Sequence, residues 1–166
     1  MKPLFRLFLA VCLFRKGPQD VPASRVLLAL SFGLNLSVSF LLGTLEQGPF
    51  EAVLKSLVAD ILLLILIALL LVIRHHPERI VQTASAVFGS DTLISLLAFP
   101  WLLLGTIWPD LQPLTTLMML GFMIWGQLIL AQLLKIALGW PTIAGLGVAF
   151  LYLMISMDLI RYLFGS

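Results

Sequence analysis

The sequence predicts an all-α, polytopic membrane protein with five transmembrane helices, two short interfacial helices and an N-in/C-out topology. Three observations carry that prediction. Five apolar stretches, at about 26–43, 56–73, 92–108, 114–134 and 142–160, each run about 17–21 residues, and a hydrocarbon core about 30 Å thick needs about 20 residues at helical rise. The composition is 61% hydrophobic and 11% charged, where soluble domains hold about 45–50% apolar and about 25% charged residues. The basic residues are also unevenly shared. With the N-terminus in the cytoplasm, Lys2, Arg6, Arg15, Lys16, Arg25, Arg74, Arg79 and Lys135 lie inside, and only Lys55 and Arg161 lie outside, the asymmetry that orients polytopic proteins.

No connection between spans exceeds about 20 residues, so residues 1–166 form a single transmembrane domain with no room for a soluble one. The pI near 9.0 reflects basic residues flanking spans, without the aromatic interleaving of a nucleic-acid surface. The single cysteine, Cys12, allows neither a disulfide framework nor a thiolate metal cluster. A lipoprotein anchor at Cys12 and a cleaved leader are both disfavoured. Val11 stands where a small residue is expected, and the apolar run Leu7–Phe14 ends in Arg15 and Lys16.

Taken in order, the first element is a helix over 3–15, too short to span and flanked by basic side chains, which places it in the inner interface. Gly17, Pro18 and Pro22 break it from the first span. In that span Ser31, Asn35, Ser39 and Gly43 recur at every fourth position and so share one face. Small and weakly polar residues let helices approach and hydrogen-bond, so this face reads as a packing seam. Gly145 and Ala149 repeat the pattern in the fifth span. Gln127, in mid-span, is the expected partner of Asn35.

Between the second and third spans lies the most regular amphipathic stretch, 77–88. Ile80, Val81, Ala84, Val87 and Phe88 fall within an arc of about 120° at 100° per residue, with Glu78, Arg79, Gln82, Thr83 and Ser85 opposite. Pro77 suits its first turn, Gly89 its end, and Asp91 the cap of the third span. It reads as an interfacial helix, whose polar face (Arg79, Gln82, Thr83) is the candidate partner surface. Asp60 and Asp158 both come out just beneath the outer interface, and Arg161, three residues after Asp158, can pair with it. These three form an expected outer polar cluster. Adjacent His75 and His76 point about 100° apart and lack further ligands, so no metal site is expected. Pro100 falls within the third span, and Trp101, Trp108 and Trp140 lie near span ends as interface anchors.

No phosphate-binding glycine loop, nucleophile elbow or His/Glu metal pair is present. The expectation is a protein that is not an enzyme, with no catalytic residue, cofactor or metal. Five spans, a cytoplasmic N-terminus and short outer loops, with Arg79-Ile80-Val81-Gln82-Thr83 through Gly89 running into a span that carries Pro100, resemble the bacterial Yip-domain family. Eukaryotic members of that family are associated with small GTPases and membrane trafficking. Of their acidic-tyrosine-glycine-proline motif only Gly17-Pro18 stands here, and no functional residue carries over.

The resemblance implies a non-enzymatic assembly, organising or partner-binding factor in the bacterial inner membrane. Its partners would be the bilayer and other membrane or cytoplasmic proteins, a homo-oligomer among the options, and no nucleic acid. The alternative is a small transporter or channel subunit, which needs a polar path from Asn35, Gln127, Asp60 and Asp158. A water-filled cavity reaching the midplane would favour transport. A dry bundle with an exposed groove would favour the partner role.

Overall fold

The computed structural model describes residues 2–46 and 48–165. Six helices account for most of them: α1 (Lys2–Cys12), α2 (Arg25–Glu46), α3 (Pro49–Ile73), α4 (Ile80–Ile107), α5 (Gln112–Leu138) and α6 (Thr142–Phe164), with no strand among the described residues. Single 3₁₀ turns at Pro18–Asp20, Pro77–Arg79 and Pro109–Leu111 join them, each opening on a proline whose fixed φ starts a helical turn and whose missing N–H is not needed there. Five of the helical segments are long and apolar enough to cross a membrane. The chain is an all-α protein of five such helices.

These five close into a ring. α2 packs against α3 and α4, α5 packs against α4 and α6, and α6 returns to α3. Phe32 of α2 meets Phe88 of α4 edge to face at 5.1 Å. Gly43 of α2 lies so close to Ala52 of α3 that an added Cβ would sit 2.8 Å from the alanine methyl. At the end of the ring that carries Arg25, Arg74 and Arg79, the interior is solid. Ile67, Leu71, Ala84, Phe88 and Leu134 are fully buried there. Arg74 and Arg79 donate to the Leu138 and Ala137 carbonyls at 3.4 and 3.3 Å, two of the terminal acceptors that a helix end leaves open. Gly139 ends α5 in the left-handed region at φ 65°, which glycine adopts without a Cβ clash. The Arg74 guanidinium lies over the Trp140 ring, 5.6 Å from its centre.

The stretch 77–88 departs from expectation. It is not a separate interfacial helix, because α4 runs through Gly89 and Asp91 without a break. Residues 83–90 are all buried, including Thr83 and Ser85, assigned to its polar face. Ser85 donates to the Val81 carbonyl at 2.7 Å, and Ser90 donates to Ala86 and Val87 at 2.7 and 2.9 Å. A hydroxyl satisfied by its own helix no longer needs water, so this face packs inward. Asp91 is therefore a mid-helix residue and not a cap, and Gly89 ends nothing. Its missing side chain admits the ring of Phe8 from α1, into which any Cβ would collide.

α1 lies against α4 outside the ring. Cys12 and Val11 are buried, whereas Leu4, Phe5, Leu9, Leu13 and Phe14 are exposed. The Cys12 thiol donates to the Ser90 carbonyl at 3.6 Å, and the Trp125 indole donates to the Cys12 carbonyl at 3.1 Å. Burial, with the Asp91 charge second, pushes the Cys12 thiol up to about 11. Thiolate is the reactive species, so Cys12 is expected to resist alkylation by N-ethylmaleimide at pH 7.5 in the folded protein and to react on denaturation. Mass spectrometry checks this, and prompt modification of the native protein would contradict the packing of α1.

Candidate functional site

The opposite half of the ring is hollow. A cavity of about 680 Å³ lies between the helices, with Asp60, Asp91, Gln127 and Tyr152 on its walls together with Ser39, Ser56, Ser95 and Ser156. Asn35 stands immediately behind Asp60. Each of the five long helices thus supplies one strongly polar side chain: Asn35 from α2, Asp60 from α3, Asp91 from α4, Gln127 from α5 and Tyr152 from α6. Each sits ten to thirteen residues from the helix end on the Arg74 side. At 1.5 Å per residue that is about 15–20 Å, half-way through a hydrocarbon core of about 30 Å. The polar girdle is central, and Asp60 is not the shallow residue the span boundaries suggested.

Asn35 organises the girdle. It is 1% exposed, and its amide donates to Asp60 Oδ1 at 3.0 Å. Its carbonyl accepts from Thr92 at 3.3 Å. These bonds tie α2 to α3 and α4, and Gln127, the expected partner, is not among them. Three hydroxyls around the cavity donate to backbone. Thr92 also donates to Phe88 at 2.7 Å, Tyr152 donates to Ala59 at 3.2 Å, and Ser156 donates to Leu153 at 3.0 Å. Asp60 Oδ2 and Gln127 Oε1 are buried with no hydrogen-bond partner among the described residues. The site therefore presents two unsatisfied acceptors, one of them on a carboxylate.

Beyond the girdle the walls combine Ser39, Ser56, Ser95 and Ser156 with Met119, Phe122, Met123 and Met157, and the far end carries Lys55 and Arg161. Lys55 lies 3.5 Å from Glu51 and 5.8 Å from the centre of the Phe164 ring. The expected cluster of Asp60, Asp158 and Arg161 does not assemble. Asp60 faces the cavity, Arg161 stands at its mouth, and Asp158 is exposed outside it.

No family model, curated protein or solved structure matches the chain. Its site is read on its own geometry.

The remaining sequence-derived candidates fall as follows. Ser31 is buried and donates to Leu27 and Leu28 at 2.9 and 3.1 Å, while Ser39 lines the cavity. Gly145 and Ala149 are buried in α6, Gly145 directly against the backbone of α5 at Ala131. Arg79, Gln82 and Thr83 border a second hollow of about 400 Å³ with Pro18, Gln19, Ile136 and Ala137. Thr83 is completely buried, so it is not part of an exposed partner surface. His76 lies 3.2 Å from Glu78, and no group of three or more metal-ligating residues occurs among the described residues. Sequence reasoning missed Asp91 and Tyr152. Reading Pro77–Ile107 as one helix would have put Asp91 at mid-span.

Proposed function

We propose that the cavity receives a cationic group and that the protein works as a small solute-handling membrane component, a transporter or channel subunit. The observation that supports this reading is the pair of carboxylates, Asp60 and Asp91, on the cavity wall at mid-depth, with Asp60 Oδ2 and the Gln127 oxygen unsatisfied beside them. Ionisable groups at that depth are costly, and where they persist they mark substrate or ion pathways. A donor-rich cation would supply the missing hydrogen bonds and offset the charge of the carboxylates. No other described part of the chain combines charge, depth and open volume in this way.

The test is reconstitution of the full chain in liposomes with uptake of radiolabelled methylammonium as the readout. Uptake above empty vesicles, lost in both Asp60→Asn and Asp91→Asn at matched incorporation, is expected. Unchanged uptake in both variants would overturn the reading. The organising or partner-binding role has its own support in the hollow beside Arg79 and Gln82, where two side chains of the polar face remain at least partly accessible. Absence of uptake, together with specific proteins copurifying from native membranes, would favour that role.

A further inference from the structure

Charge in the cavity is not uniform. Its deep end holds carboxylates and carbonyl acceptors, and its far end holds the cations Lys55 and Arg161. On α3, Lys55 precedes Asp60 by five residues, and on α6, Arg161 follows Tyr152 by nine. These offsets place the two basic residues about 7–14 Å from the girdle along the helix axes. Lys55 shares its charge with the exposed carboxylate of Glu51 at 3.5 Å. Arg161 makes no ion pair among the described residues, and Asp158 on the next turn of the same helix is not its partner. Between the two ends the wall combines Ser39, Ser56, Ser95 and Ser156, one helical turn beyond the girdle, with Phe122 and with Met119, Met123 and Met157, whose flexible side chains adapt to a ligand's shape.

We infer that the ligand is a zwitterion: an ammonium group at one end, a carboxylate or phosphate at the other, and a short body between them. The ammonium sits at Asp60, Asp91 and Gln127, and donates to the orphaned oxygens. The body lies along the mixed wall of methionine and serine side chains. The anionic end reaches Arg161, whose fork of donors matches a carboxylate or phosphate. A cavity of about 680 Å³ is within the range that holds a small organic ligand with most of its surface covered. This inference rests on the cation-receiving reading above and adds a polarity to it.

Three six-carbon probes separate the two claims: 6-aminohexanoate, hexylamine and hexanoate, each titrated calorimetrically into the purified full chain in nanodiscs. The zwitterion is expected to bind about tenfold tighter than hexylamine, and hexanoate not at all. Arg161→Gln alters an exposed side chain and is expected to fold. In this variant 6-aminohexanoate should fall to the affinity of hexylamine, with hexylamine unchanged. Asp60→Asn should weaken both amines.

Equal binding of hexylamine and 6-aminohexanoate to the native chain would overturn the zwitterion and leave the cation site standing. An Arg161→Gln variant that weakens both amines alike would also overturn the zwitterion, because the guanidinium would then not be reading the anionic end. Preferential binding of hexanoate would overturn both. Binding of none of the three would overturn the zwitterion, and methylammonium uptake would then decide the cation site separately.

Discussion

An Asn35→Leu variant is expected to be severely destabilised although leucine has the same number and branching of side-chain heavy atoms as asparagine. The amide it removes is 1% exposed and donates to the Asp60 carboxylate. An ordinary interhelical hydrogen bond in a membrane protein contributes on average only about 0.6 kcal/mol. Two features push this one well above that mean. The acceptor is a carboxylate, and the hydroxyls of Thr92, Tyr152 and Ser156 already donate to backbone. Leaving a buried polar group unpaired costs about 1–3 kcal/mol, and more for a charged one. With a buried carboxylate affected, a loss of that size should appear as a lowered unfolding midpoint in detergent. Asn35→Leu/Asp60→Leu should recover part of it, since removing both partners is far milder than orphaning one. An unchanged midpoint in the single variant would mean that Asn35 does not hold the girdle together.

The five spans were legible because each is a long apolar run between turn residues, and bilayer thickness leaves helices little freedom in length. The face of α2 was legible for a similar reason. Ser31, Asn35, Ser39 and Gly43 repeat at helical spacing, and the structure turns that face toward α3 and α4, where Gly43 meets Ala52 and Asn35 meets Asp60 and Thr92. What a single sequence could not show is which helix faces which. Gln127 was the natural partner for Asn35 by polarity and depth, yet ring order places Asp60 within reach instead.

The girdle was hidden by the treatment of hydroxyl residues. Thr83 and Ser85, beside Glu78, Arg79 and Gln82, made 77–88 look amphipathic and therefore interfacial. A serine or threonine in a helix can donate to the carbonyl three or four residues back, as Ser85 and Ser90 do, and then packs inward at little cost. Once that segment is inside the bundle, α4 starts at Ile80, and Asp91 moves from the edge of a span to its middle. The same change of boundary turns an unremarkable cap into half of a buried carboxylate pair. Arg79 and Gln82, from the same stretch, stay at the rim of the smaller hollow, so a single amphipathic pattern contributes to two different surfaces.

The contact between α5 and α6 supplies the second large effect. Gly145→Val is expected to prevent assembly of the ring. A Cβ on Gly145 would lie 2.5 Å from the Ala131 carbonyl oxygen, 3.3 Å from the Ala131 carbonyl carbon and 3.4 Å from the Lys135 nitrogen. All three are backbone atoms, so no rotamer change relieves the overlap, and the helices must separate. Overpacking in a well-packed core costs about 1–3 kcal/mol when neighbouring side chains can shift. Here the obstacle is helix backbone, and valine adds two further methyl groups. The loss should therefore exceed that range.

Two other glycines control for substitution itself. Gly147 lies two residues away on α6 and Gly121 lies within α5, and each has open space within 4 Å of its would-be Cβ. Alanine at either should leave folding intact or raise stability by up to about 1 kcal/mol through helix propensity. The measurement is the monodisperse fraction recovered by size-exclusion chromatography, with the unfolding midpoint of whatever is recovered. A Gly145→Val protein as abundant and as stable as Gly147→Ala would show that α5 and α6 do not touch through their backbones. The closed ring, and with it the cavity that α5 and α6 help to wall, would then fail.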